Sequence, residues 1–551
     1  MVSVQNLELE LQSLFKEKKF SEIIFEITTK SKEDERNAGL FVLLGISRIS
    51  LNKKNKDQVE LAVGDFKKGY LKELTSENSL NGLINFVLAS VILSDFENTN
   101  VDFDEIKNFY KASPETFQNK RPINIAMTTV YSRLNDFKGM VYHLEKVIKS
   151  GDFISNDLCN YGFWRCYDKR WSQENFFDYG KFVEKNLNKY SDNQIIELSN
   201  KKNEKIKLGI LSADLKTGHS ITFFLKTILL HYNRDEIEIY LISNQKDPTT
   251  ISTEISNLVS RTIDINQLND LSALNKIREL NLDIMIDVMG YTSRNRIALF
   301  KNRIAKKQII WMGYCNTTGL KNMDYIITDP NLIYDNEKDL YAEQILYMPE
   351  IWNTHCGFEF ERIENPPPFI KNDYITFGSF NNPSKINEDV IDCWSKILKN
   401  IDNSKLIIKC PNDKHQLNRI KKSFKEKFIL QSIIFHTSFD DKKDHLNLYK
   451  KIDIALDTFP YNAHTSCSDS IWAGVPVLTK WTETIDANWE MRISELIFTT
   501  EDDLSSYLTR TVGGHISYGR LCAESKNFMK SKERHEDFAE IMSKEIESLS
   551  A

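Results

Sequence analysis

From Lys205 onward the chain alternates short β-branched runs with segments of helical spacing, and this alternation constrains the fold more than any other feature. Parallel neighbouring strands need a crossover connection, usually a helix, so the pattern implies parallel sheets covered by helices. "KIKLGILSAD", "EIEIYLIS", "LDIMIDVMG", "QIIWMGY" and "MDYIITD" read as strands of one sheet. "YITFGSF", "KLIIKC", "SIIFHTS", "KIDIALDTF" and "GVPVLTK" read as strands of a second. Between the sets stands "FERIENPPPFIKND", whose three consecutive prolines fit neither helix nor sheet and mark a linker. Two doubly wound α/β domains facing each other across a cleft follow.

Residues 1 to 203 differ, with apolar residues at helical spacing, abundant Lys and Glu, and almost no β-branched runs. "KKFSEIIFEI", "KDQVELAVGDFKKGY" and "LNDFKGMVYHLEKVI" read as second helices of helix pairs, recurring at about 40 residues or a multiple of it. The expected organisation is an all-α, tetratricopeptide (TPR)-like domain over 1–203, an α/β domain over 204–360, a Pro-rich linker over 361–373 and a second α/β domain over 374–551. The helical part suits either a groove for a partner or a cap over an enzyme.

A chain of 551 residues with net charge -6 has no general attraction for nucleic acid or anionic membrane. It contains no apolar window of about 18 residues and no basic leader followed by an apolar stretch, so a cytoplasmic protein without membrane insertion is expected. The eight cysteines form no C-x-x-C pair, which implies neither a zinc site nor a disulfide framework.

Four polar clusters fall at strand ends, where ligands of such sheets bind. "SADLKTGHSITFFLK" brings Ser212, Asp214 and His219; "WMGYCNTTGLKNMDY" brings a loop in which Gly313 and Gly319 suit turns. "FGSFNNPSKINEDV" places Asn382 after the strand and Lys385 just at the start of the next helix, where the dipole disfavours a cation unless an anion compensates it. "PYNAHTSCSDSIWAGVPVL" puts His464, Thr465, Ser466 and Asp469 between a strand and a helix, and the preceding stretch adds Lys442 and His445. Ser466 and Asp469 also fit a capping box, and Asp440, Asp441 and Asp444 could neutralise the neighbouring lysines on a solvated face. Lysine, hydroxyls and a helix N-terminus suit a diphosphate, and an aspartate suits a ribose diol.

These segments, together with "DIMIDVMGYTSRNRIALFKNRIAKKQIIWMGY" and "DIALDTFPYNAHTSCSDSIWAGVPVLT", resemble glycosyltransferase family 41, the O-GlcNAc transferase and SPINDLY group with its bacterial members, over residues 205 to 545. The resemblance implies a GT-B fold, two Rossmann-like domains facing across a cleft, preceded by the TPR-like helical domain. It implies a nucleotide-sugar donor, UDP-GlcNAc or UDP-glucose, and a protein or peptide acceptor engaged in part through the helical domain. By the same resemblance Lys385 lies on the donor diphosphate with Asn382 beside it. Thr465 and Ser466 bind phosphate in the loop of His464, Asp469 binds the ribose, Lys442 and His445 flank the nucleoside, and His219 faces the reaction centre.

The family inverts the anomeric centre, and the departing diphosphate must be neutralised as it forms. The only D-x-D spacing suited to a metal, Asp102 and Asp104, lies in the helical part. Lys385 and the helix N-terminus are therefore the expected electrostatic catalysts, with no metal or other cofactor required, and His219 is a base or an acceptor-positioning group. The chain departs from the family at Cys315, usually proline, and at Ala463, usually glycine. A hydroxyl acceptor on Ser or Thr is the leading expectation. Transfer to asparagine, extension of a glycan, and a non-catalytic helical adaptor are the alternatives.

Overall fold

The computed structural model describes all residues except 1–3, 97–98, 191–195, 200–201, 315, 331, 349–351, 353–367, 373, 411–413, 438–441, 474, 481–496 and 499–551. The chain divides into two compact units, Met1–Asp157 and Leu158–Ala551.

The first unit is helical, and its helices Ala38–Asn52, Lys56–Lys72 and Glu77–Leu93 each pack on their neighbours in sequence, as do Arg121–Arg133 and Phe137–Ser150. The starts are set by side chains that satisfy the first free amides: Asn37 accepts from Leu40 N, Asn55 from Gln58 N and Ser76 from Ser79 N. Phe66, Leu83, Phe86, Ile106 and Met127 form the core between the pairs. Asp102 of the D-x-D is such a cap, accepting from Asp104 N at 2.9 Å and Glu105 N at 3.1 Å at the start of helix Phe103–Ala112.

The second unit holds two parallel sheets. The first joins β1 (Ile206–Ser212), β2 (Ile237–Ser243), β3 (Arg261–Asp264), β4 (Ile284–Asp287), β5 (Lys307–Ile310), β6 (Tyr325–Thr328) and β7 (Gln344–Tyr347) in the order β3-β2-β1-β4-β5-β6-β7. The second joins β8 (Thr376–Ser379), β9 (Lys405–Lys409), β10 (Ile433–His436), β11 (Ile454–Leu456), β12 (Val477–Lys480) and β13 (Ile497–Phe498) in the order β10-β9-β8-β11-β12-β13. Strand order therefore reverses between β1 and β4 in one sheet and between β8 and β11 in the other, and a crevice opens at such points beyond the carboxyl ends. Helix Glu388–Asn400 shows how the sheets are covered. Val390, Ile391, Trp394, Ile397 and Leu398 recur on one face and are buried with Phe377 and Leu406 of the sheet.

The change in composition at 203/204 and the division at 157/158 are different boundaries. Helix Gln173–Asn186 is helical in pattern but packs into the α/β unit, with Glu184 paired to Lys301 at 2.7 Å and Gln173 Nε2 donating to Asn316 Oδ1 at 3.0 Å. Its Gly180 lies so close to Gly319 that a Cβ there would stand 2.8 Å from the Gly319 Cα. Local periodicity reports the element, whereas packing decides which unit owns it. Of the Pro-rich linker at 361–373, residues 361–367 and 373 lie outside the described residues, and Phe369–Asn372 forms one helical turn. Asp453 anchors it, accepting from Phe369 N at 2.9 Å and Thr376 N at 2.8 Å, and burial pushes its carboxyl up to about 6.

Candidate active site

The strand ends that flank the two reversal points carry the polar clusters. After β1, Asp214 N donates to Ser212 Oγ at 3.0 Å, and His219 caps helix Ser220–His231 by accepting from Ile221 N through Nδ1 at 3.3 Å. A ring nitrogen that accepts an amide proton carries none itself, so the neutral imidazole holds its proton on Nε2. Nε2 faces Asp214 Oδ1 at 3.7 Å. In this arrangement His219 offers a proton and has no lone pair left to act as a base while the cap is kept.

The adjacent β4 ends in Asp287, fully buried, which accepts from Met289 N at 3.0 Å and Gly290 N at 2.9 Å to fold the tight turn at Gly290. Burial pushes its carboxyl up to about 7. The loop after β5 is fixed from below by buried Glu343, which accepts from Thr317 Oγ1 and Thr318 N, both at 2.7 Å, and from Thr318 Oγ1. Cys315 lies outside the described residues.

In the second sheet, β11 runs into Asp457, whose buried carboxylate organises the whole turn. It accepts from Thr458 N at 2.6 Å, Ala463 N at 2.7 Å, Asn462 Nδ2 at 2.7 Å, Thr479 Oγ1 at 2.8 Å and Asn381 Nδ2 at 3.4 Å. Bonds of this kind to a buried anion are the strong ones, and they make the turn a rigid cradle. Asn387 reinforces it by donating to Phe459 O at 2.7 Å while capping helix Glu388–Asn400.

Lys385 sits in a 3₁₀ turn, Pro383–Lys385, one turn ahead of that helix rather than at its start. Its ammonium donates to Asn462 O and lies 3.9 Å from the ring centre of Tyr461. The structure thus brings Lys385 onto the loop that carries Thr465 and Ser466. Asn382 points back into its own turn, accepting from Ser384 N at 3.0 Å.

Helix Thr465–Trp472 starts at Thr465, so Ser466 lies in its first turn and does not serve as the capping residue of a box with Asp469. The bond from Ser468 N to His464 O, 3.2 Å, opens the helical ladder and leaves the Thr465 and Ser466 amides ahead of it. Both residues are half-buried. Asp469 is buried behind them, 3.6 Å from His445 Nε2, and His445 Nδ1 stands 3.3 Å from Lys409 Nζ. Phe380 packs its ring against His445 and Tyr449, and Tyr449 OH donates to Ser466 O at 3.1 Å. Lys442 opens helix Lys442–Asn447, and its side chain is outside the description. His464 is placed apart from the others, its ring stacked between Phe224 and Trp352.

Among the described residues no three His, Cys, Asp or Glu side chains are gathered as a metal centre would need. What Lys385, Thr465 and Ser466 present is an ammonium, two hydroxyls and helix-start amides on a rigid turn, a set suited to an anion. The sequence profile of glycosyl transferase family 41 matches residues 180–356 and 369–501, more than half of the chain. The chain belongs to glycosyl transferase family 41.

Relatives agree with the family 41 assignment. The probable UDP-N-acetylglucosamine–peptide N-acetylglucosaminyltransferase SPINDLY of Arabidopsis thaliana is 30% identical over 287 residues, covering 50% of this chain and 31% of that protein. The SEC protein of the same plant, which carries the same enzymatic name, is 24% identical over 291 residues, covering 50% of this chain and 29% of its own length. The chain thus spans about a third of the curated relatives it matches. The O-GlcNAc transferase of Thermobaculum terrenum superposes with TM-score 0.75 at 17% identity, over 93% of this chain and 98% of that one, and shares its GT-B fold.

Several residues of this family 41 site escape sequence reasoning. Asp457 reads as an ordinary strand-end carboxylate, and only its position directly after the apolar run Ile454–Leu456 hints that it is buried. Tyr461, Phe224 and Trp352 read as core aromatics, because their partners lie far away in sequence.

Proposed function

We propose that this chain is an inverting, metal-independent glycosyltransferase that moves a hexose from a UDP-linked sugar to a serine or threonine hydroxyl of a protein. The observation that carries the reading is the bond from Lys385 to Asn462 O, which supports an ammonium beside the loop that leads into the helix starting at Thr465. The named activity of the SPINDLY and SEC relatives supports a UDP-N-acetylhexosamine donor and a peptide acceptor.

In this mechanism the acceptor oxygen attacks the anomeric carbon from the face opposite the diphosphate. The bond from that carbon to the diphosphate oxygen breaks, and the electron pair stays on the diphosphate. Lys385 and the amides of Thr465 and Ser466 stabilise the charge as it develops, which is worth most in a site from which water is excluded. His219 orients the acceptor hydroxyl through its Nε2–H, and the Asp214 carboxylate beside it takes the hydroxyl proton. In this reading Asp469 and His445, 3.6 Å apart, serve the nucleoside.

The test is incubation of the purified chain with UDP-GlcNAc, UDP-glucose and GDP-fucose, with and without EDTA, together with candidate protein acceptors. Sugar transfer from a UDP donor that survives EDTA is expected, with mass spectrometry finding the sugar on Ser or Thr. Loss of transfer in EDTA would remove the metal-independent reading, and a modified asparagine would replace the hydroxyl acceptor.

A further inference from the structure

His464 stands immediately before the first residue of helix Thr465–Trp472, yet its ring leaves the turn and enters a slot built by the first sheet's domain. Phe224, on the helix that His219 caps, lies 4.9 Å away, centre to centre, with the ring planes 8° apart. Trp352, beyond β7, lies 5.1 Å away at 17° on the same ring. Neither wall of the slot is free to adapt. Phe224 is 1% exposed and Trp352 2%. Trp352 is held at both backbone atoms, its N donating to Asp329 Oδ2 at 3.0 Å and its O accepting from Trp311 Nε1 at 2.9 Å.

From this geometry we infer that His464 is a positioning residue: its flat ring keys the anion-binding turn of the second sheet into an aromatic slot of the first. The backbone that carries His464 is the one braced by Asp457, and it includes the Asn462 carbonyl that receives Lys385. The Phe224 wall lies little more than one helical turn from His219. The stack therefore sets the distance between the groups that meet the leaving diphosphate and the group that meets the acceptor. Flat-on stacking uses the faces of a ring and is served by any six- or five-membered aromatic of similar size, whereas a donor ligand would need the ring nitrogens. The functional consequence rests on the transferase reading above; the stack itself does not.

The experiment uses the full chain and the variants His464→Ala, His464→Phe and Phe224→Ala. His464→Ala is expected to lower kcat at least tenfold while changing UDP affinity, measured by calorimetry, less than threefold. His464→Phe is expected to recover at least tenfold of that turnover, and the His464→Ala, Phe224→Ala double variant to be no slower than the worse single one. A Phe variant as slow as the Ala variant, or a UDP affinity that falls with kcat, would overturn the inference. Thermal unfolding reads the stack without any donor: midpoint shifts of the two Ala variants should be non-additive, and additive shifts would reject the stack even where transfer fails for another reason. Phe224→Leu, which keeps the volume but not the ring, replaces Phe224→Ala in both measurements should the latter not fold, with the same outcomes expected and the same outcomes decisive.

Discussion

The ammonium of Lys385 lies 3.9 Å from the ring centre of Tyr461 while it donates to Asn462 O, so the cation is set over a π face on the loop that leads to Thr465. Neither a π face nor a carbonyl neutralises an ammonium, so these two contacts do not cancel the charge that Lys385 brings to an incoming diphosphate.

Lys385→Ala should therefore lower sugar transfer about 10²-fold or more, the loss seen when one strong charge-stabilising contact is removed. Its thermal unfolding should remain cooperative, with a lower midpoint from the lost Asn462 and Tyr461 contacts. Initial rates with saturating donor check this, and turnover within a few fold of the parent would remove Lys385 from the mechanism.

His219 has two jobs in the structure, and two substitutions separate them. Asparagine caps helices well through its side-chain oxygen, whereas alanine cannot and costs about 1 kcal/mol at such a position. His219→Asn should match the parent in chemical denaturation and His219→Ala should fall below it, while both lose transfer at least tenfold. If activity simply followed stability across the pair, the Nε2–H would have no part in acceptor positioning.

Asp287 and Asp453 carry a pH signature. Burial raises both carboxyls, to about 7 and about 6, above the ordinary carboxylate value near 4. Between those limits the folded chain holds protons that the unfolded chain has released, so stability is greatest at the acid end and falls as pH rises from about 4 to about 7. Asp287→Asn should flatten that decline, measured as the difference in urea midpoint between pH 5.5 and pH 8. An unchanged difference would show that Asp287 ionises freely when folded.

Gly180 and Gly319 meet backbone to backbone, and Gly319 has φ +71°. Gly180→Ala should destabilise by about 1–3 kcal/mol through overpacking, and Gly319→Ala by more, because its Cβ would also enter a left-handed conformation. Differential scanning calorimetry of the two variants checks the order; an alanine tolerated at 319 would mean the helix and loop are not in contact in solution.

The strands that sequence reasoning finds and those it does not have a physical distinction. All ten named runs are strands, and the three that escape among the described residues, β3, β7 and β13, stand at the ends of the described sheets. β3 "RTID" and β7 "QILY" are four residues each and partly exposed, which leaves little to set them apart from the loops around them. The same logic governs the site. The clusters that hold Lys385, Thr465 and His219 are read at strand ends and stand there, and the capping reading of Ser466 fails because the helix begins one residue earlier. His464 is legible as part of the loop, whereas its stacking on Phe224 and Trp352 depends on two rings that nothing local connects to it. The 203/204 boundary follows composition, which cannot see that Gln173–Asn186 is packed by Gly180, Glu184 and Gln173 into the α/β unit.

That last feature bears on how the chain can be shortened. A fragment starting at 204 would strip away the helix that presses on Gly319 and would expose the underside of the loop after β5, where Tyr291 OH donates to Thr318 O. Trimming at the 157/158 junction keeps Gln173–Asn186 in place and leaves that loop its native support.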